Sequence, residues 1–341
     1  MKDYLAACRF PTCRIGDVAI PRLILGHLPF VGESYQGQSR NLEYVARFSD
    51  IGNTVKIIKI AVEKFGITVV SAGSMGDGSE LEHLLLRAIT EAGRETGIKI
   101  GIIPCVQIPL AVLGRPVDTY RRWLTYYWIE LGACKDLARR YLEDPILQCR
   151  AGWKEKFEEA LKNLKPYGAE EIKSLQVDFE KLDIALQALK GLEVLFVELG
   201  SECDFLAMAG RTDILGEVVD HVLEEFDGVL LGTHHAGSAI PILERSEIEF
   251  EGYVTPVNRL GVMMFTTAEE ALNSIRKSKK PVIAIKPLAG GRIEPRSAFR
   301  YVYEEAGMSF SMVGVGSEKE AEENFSTVAE IVGRHPAQTI P

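Results

Sequence analysis

Short runs of β-branched and apolar residues alternate along this chain with longer stretches whose apolar residues recur at helical spacing. The runs fall at 22–26, 67–72, 98–106, 193–199, 228–233, 252–257, 281–286 and 309–315. Segments 53–65, 79–96, 213–226, 237–245, 266–278, 295–306 and 318–332 carry the helical period, as in Ile57, Ile60, Ala61 and Phe65. Strands and helices in strict alternation build a parallel sheet, and eight strands close it. The pattern predicts an α/β chain folded as a (β/α)8 TIM barrel, with CRIGDVAIPRLILG forming a hairpin that leads into the first strand.

One interval breaks the rhythm. Residues 107–191, between the third and fourth strands, are far more than one helix and two loops require. Stretches 117–142 and 153–190 are rich in helix formers and are broken near Pro145 and at Pro166-Tyr167-Gly168. A helical insertion is expected here within a single 1–341 domain, emerging on the C-terminal face where barrel sites lie. Its aromatic run, with Tyr120, Trp123, Tyr126, Tyr127 and Trp128, suits a packed core, a lid over the site or a homo-oligomer contact.

A hydrophobic content of 46% is ample for a large core, and a net charge of -9 argues against nucleic acid as partner. No stretch has the length and apolarity of a membrane span or a signal peptide, so the expected setting is cytoplasmic, away from membranes. The six cysteines are scattered without a CxxC pair, which indicates neither a zinc ribbon nor a disulfide framework.

In a parallel barrel the residues just past each strand converge on one mouth. Here they include His27, Ser71, Ser74, Gln107, Glu198, Thr233, His234, His235, Asn258, Lys286, Arg292 and Ser317. Glu198 follows Leu195, Phe196 and Val197, and a carboxyl there would titrate high if dry, as a catalytic acid or base does. Its alternative is pairing with a rim cation. Adjacent His234 and His235 cannot both face the mouth if the strand runs through them. One of them, with Glu198 and His27, could complete a divalent-metal set, although the spacing resembles no metal motif. Lys286 could hold an anion or act as an amine nucleophile, against the alternative of an ion pair with Glu198. His27, Ser74, His235, Asn258 and Arg292 are the candidates for contact with a small-molecule substrate, with Glu198, His234 and Lys286 as the catalytic candidates. Gly290-Gly291, after Lys286, allows a turn that exposes N–H groups. Gly314, Gly316 and Ser317 open the last helix, where a phosphate or nucleotide could sit. Against this, the helix start is acidic, and Ser317 could be an N-cap with Glu320 as partner.

The segments PRLILGHLPFVG, SAGSMGDGSELEHLLLRAI, LLGTHHAG, VTPVN and, most closely, IAIKPLAGGRI and VGVGSEKEAEENFSTV, in order over about 250 residues, together resemble the aldo-keto reductase superfamily, in particular its ferredoxin-associated bacterial and archaeal branch. The resemblance implies NADPH-dependent carbonyl reduction by a Tyr acid supported by Lys, Asp and His, with NADP gripped at Lys286, Gly290, Gly291, Gly314, Gly316 and Ser317. That tetrad is not carried over. Met75 stands at the Tyr position and Val70 at the Asp position, there is no Lys from Ile100 to Cys134, and there is no His from Leu84 to Asp220. A thioether cannot donate the required proton. The sequence thus leaves open a divergent oxidoreductase, a non-redox lyase, hydrolase or isomerase, and a catalytically silent binding protein.

Overall fold

A computed structural model describes residues 10–73 and 80–334. Each of the eight expected runs contains a strand: β1 (Leu23–Gly26), β2 (Val69–Ala72), β3 (Gly101–Val106), β4 (Val197–Leu199), β5 (Val229–Gly232), β6 (Gly252–Pro256), β7 (Val282–Ile285) and β8 (Phe310–Gly314). They are parallel and close in chain order, β8 returning to β1 through Val313 opposite Leu25. Both faces of such strands are covered, which is why they read as unbroken apolar runs. Ile24, Val69, Ile103, Phe196, Leu230, Val254, Ile283 and Phe310 fill the barrel interior. Their neighbours Leu23, Leu25, Val70, Ile102, Val197 and Leu231 pack outwards against helices.

The N-terminal hairpin pairs Thr12–Ile15 with Val18–Pro21 and sends Ile15 and Ile20 into the same interior cluster. It closes the N-terminal end of the barrel. The helices follow the expected segments, from Ile51–Lys59 through Glu318–Arg334. A further helix, Gln38–Phe48, lies after β1 and buries only Tyr44 and Phe48.

The insertion differs from a purely helical expectation. Its helices are Thr119–Glu130, Leu137–Glu143, Trp153–Asn163, Ala169–Lys173 and Phe179–Gln187, but Leu110–Val112, Arg115–Pro116 and Leu175–Val177 form a three-stranded antiparallel sheet. A tight turn at Leu113-Gly114, both at positive φ, reverses the first two strands. Most of the aromatic run packs inside: Trp123 meets Tyr126, Tyr141, Trp153 and Phe265 edge to face at 5.1–5.8 Å, while Trp128 stays exposed.

Candidate functional site

Strand alternation fixes which side chains reach the mouth. Two residues beyond the interior layer, in which Met312 stands beside Ile24, the inward positions are Gly26, Ser71, Cys105, Glu198, Gly232, Pro256, Ile285 and Gly314. Three of them are glycines, and Pro29 packs where a Cβ on Gly314 would be. A Cβ on Gly232 would lie 3.1 Å from Glu198 Oε1, so the missing side chain makes room for the carboxyl. Glu198 is 8% exposed. Burial pushes its pKa up to about 7, against the pull of the Lys286 charge and a hydrogen bond with the Cys105 thiol. A carboxyl poised near neutrality can give or take a proton.

Above this layer stand Lys286 and His234, both half-buried, with Nζ 3.3 Å from Nε2. Lys286 ends β7 at a φ of 56°, and its ammonium lies 5.0 Å from the centre of the Tyr35 ring. Burial and the nearby Arg150 charge lower its pKa to about 8, although Glu33 and Glu198 act the other way. It forms no ion pair among the described residues, so the expected alternative of a Lys286–Glu198 bridge is absent. His234 is kept neutral by burial and by Lys286, and its backbone N–H donates to Asp204 Oδ2 at 2.8 Å. In the tautomer protonated on Nδ1, a neutral His234 offers the Nε2 lone pair to the lysine nitrogen. His27 joins the rim: Ser71 Oγ accepts its backbone N–H at 3.0 Å and faces Nδ1 at 2.7 Å, and burial lowers its pKa to about 4.

Arg150, from the insertion, adds a second cation. Its guanidinium lies 5.8 Å from the Trp123 ring centre and 5.6 Å from that of Trp153, and it has no carboxylate partner among the described residues. Its charge is felt at both Lys286 and His234. Arg122, by contrast, is paired with Glu202.

Other candidates are placed elsewhere. His235 is 1% exposed, packed among the rings of Tyr126, Tyr141 and Phe265, with Nδ1 3.0 Å from Glu130 Oε2. The strand ends at Gly232, before both histidines, so they part at the turn into helix Ala236–Leu243, and His235 serves the join between barrel and insertion. Asn258 is fully buried and spends its amide on its own loop, donating to Val262 O and accepting from Val262 N, both at 3.0 Å. Arg292 fastens three segments by donating to Tyr35 O, Ala289 O and Pro145 O at 2.9–3.0 Å. Ser74 and Met75 lie outside the described residues. Val70 points into the helical layer, so Ser71 is what β2 turns inwards. Among the described residues no three His, Cys, Asp or Glu side chains converge as metal ligands, so His27, Glu198 and His234 do not form the set considered.

The Gly314–Ser317 loop is already filled. Gly316 N–H donates to Glu320 Oε2 at 2.7 Å, Gly316 O accepts from Arg47, and a Cβ on Gly316 would fall 2.6 Å from Tyr44 Cζ. Ser317 caps the last helix, accepting Glu320 N–H at 3.2 Å. A carboxylate from the chain itself occupies the donor a phosphate would use, and helix Gln38–Phe48 covers the approach. The loop does not fit the adenosine phosphate of NADP. Gly290 and Gly291 take the left-handed turn expected of them, at φ 69° and 78°, with Gln36 and Tyr35 packed against them.

Sequence reasoning missed Tyr35, Arg150, Cys105 and Asp204. Cys105 was within reach, being the inward residue two past Ile103; Tyr35 and Arg150 come from a loop and the insertion, where no period assigns a direction, and Asp204 from the short helix Glu202–Met208 that follows β4.

Two crystal structures assigned as aldo-keto reductases of Pseudomonas aeruginosa superpose on 96% of this chain and 99% of their own, with TM-scores of 0.54 and 0.55 at 14% and 13% identity. The fold is that of the aldo-keto reductases. A Bombyx mori aldo-keto reductase solved with NADP matches at a TM-score of 0.44 and 12% identity, too remote to inform the site. No family model matches the sequence. No curated protein does either. Within the described residues no helix is long and apolar enough to cross a membrane.

Proposed function

We propose that this aldo-keto-reductase-like barrel is an enzyme that binds a small anionic substrate at its C-terminal mouth and moves protons on it. Lys286 and Arg150 attract the anion, Glu198 exchanges a proton with the substrate, and His234 receives or returns a second one. The observation that carries this reading is the Lys286–His234 contact at 3.3 Å, in a half-open mouth where the lysine has no carboxylate partner. A cation left without an anion in a partly dry site is completed by an anionic ligand. The insertion helices, which bring Arg150, form the roof of this site.

Titration with pyruvate tests it, read by intrinsic fluorescence because Trp123 and Trp153 lie under Arg150. A saturating change that Lys286→Met abolishes is expected. Absence of any saturable response to pyruvate or inorganic phosphate would remove the support for an anion site.

A second reading, an NADP-dependent oxidoreductase, is favoured by the likeness of fold. It requires a cofactor seat other than Gly314–Ser317, and enhancement of NADPH fluorescence on titration would count for it.

A further inference from the structure

We propose that Lys286 is a nucleophile that condenses with the carbonyl carbon of a 2-oxo carboxylate to form an iminium, while Arg150 holds the carboxylate. This rests on the anion-binding reading above and gives it a substrate class.

The geometry supplies each part. An amine can attack only when it is unprotonated and not locked in an ion pair. Lys286 has no such pair among the described residues, and its one side-chain hydrogen-bond partner is a neutral imidazole. Its lowered pKa leaves a useful fraction of free amine near neutrality. Arg150, exposed on the insertion, is a second cation without a carboxylate partner among the described residues; its charge acts on Lys286, the Glu33 carboxylate acts on both, and a guanidinium matches a carboxylate in shape. Glu198 lies below them with a proton to give. A ligand with an electrophilic carbon next to a carboxylate would use the lysine and the arginine together. A simple carboxylate would use only the charges.

The step balances without a cofactor. The Lys286 nitrogen forms a bond to the carbonyl carbon, the C=O π pair moves to oxygen, and Glu198 delivers a proton there. His234 Nε2 takes the proton lost from nitrogen, giving a neutral carbinolamine. That proton then returns to the hydroxyl as the C–O bond breaks, water leaves, and the nitrogen lone pair forms C=N. The net change is amine, carbonyl and the Glu198 proton into iminium and water. Glu198 is left as a carboxylate, able to remove a proton from the carbon beside the iminium, which is lyase or isomerase chemistry.

The test is borohydride trapping with pyruvate, followed by peptide mass analysis of the full chain. A reduced pyruvyl adduct is expected on Lys286 ahead of surface lysines, forming fastest between about pH 7 and 8, where Glu198 still holds a proton and Lys286 begins to lose one, and more slowly on either side. Lys286→Arg should keep pyruvate binding by fluorescence and lose the adduct. Arg150→Gln should cut trapping of pyruvate about tenfold, while trapping of uncharged propanal stays near wild type. Saturable pyruvate binding with no adduct on Lys286 would overturn the iminium and leave the anion site standing. Neither binding nor adduct would overturn both. Labelling spread evenly over surface lysines would also defeat the proposal.

Discussion

At position 316 the absence of a side chain decides what the last loop of the barrel can bind. The Tyr44 ring sits where a Cβ would be, and the Arg40 guanidinium lies 4.9 Å from the ring centre. A methyl group there must displace a ring that is itself buried, and overpacking of this kind costs about 1–3 kcal/mol. Gly316→Ala should therefore lower the unfolding free energy from urea titration by that amount, and should cost clearly less in a Tyr44→Ala background. An equal loss in both backgrounds would mean that Tyr44 is not the obstacle. The sequence held half of this arrangement. The Ser317 cap and the acidic helix start were readable from spacing, but Tyr44 was not, because helix Gln38–Phe48 exposes Leu42 and Val45 and buries only two aromatics. A stripe that sparse carries no clear helical period. Asn258 and Arg292 show the same limit: each is polar at a strand end, as a ligand-binding residue would be, yet each spends its donors on loop carbonyls.

Among the elements, the insertion is the one whose attachment matters most. It is tied to the loop after β6 by Met263 N–H donating to Asp144 Oδ2 at 2.7 Å and by Arg140 donating to Met264 O at 2.9 Å. Arg292 ties it to the loop after β7 through Pro145 O at 3.0 Å. Such bonds to a single charged donor are worth about 1.5–3 kcal/mol each where shielded, less here because Arg292 is exposed. Arg292→Ala should raise amide exchange in 145–153, next to Arg150, while protection of the barrel strands stays unchanged. Uniform protection across 145–153 in the variant would show that the other fastenings suffice. The strands themselves were legible to within three or four residues because a buried parallel strand is a compact apolar run between turn residues. The insertion's small sheet was not, since Leu110–Val112 and Leu175–Val177 are three residues each and pair across more than sixty positions.

For the molecule as a whole, the buried Glu130–His235 pair sets a pH window of stability. Burial opposes charge on both groups, but His235 and hydrogen bonds from Ser238 and Tyr141 hold Glu130 below its ordinary 4.5, and Glu130 with Asp204 holds His235 above its ordinary 6.5. A depressed carboxyl contributes stability that is complete above 4.5 and fades as pH falls through its folded value; a raised histidine contributes stability that is complete below 6.5 and fades as pH rises through its own. The pair's contribution is therefore greatest between pH 4.5 and 6.5. Glu130→Ala should lose about 3–5 kcal/mol there, the usual cost of stranding one partner of a buried pair, and less in alkaline solution. Urea midpoints measured across that range check it, and a loss independent of pH would contradict a charged pair. The barrel that holds this pair was legible from eight runs in order. The pair was not, because Glu130 sits in a helix whose partners come from elsewhere in the chain.

That distance along the chain has a consequence for how the protein is made. Glu130 meets His235, Ser238 and Thr266, which follow it by 105, 108 and 136 positions. Ribosomal synthesis delivers the aromatic layer of Trp123, Tyr126 and Tyr141 long before Phe265 arrives to cover it. Non-local contacts of this span slow folding, and apolar surface exposed in the interval invites association with other chains. The aromatic layer of the insertion is thus translated well before the residues that complete it.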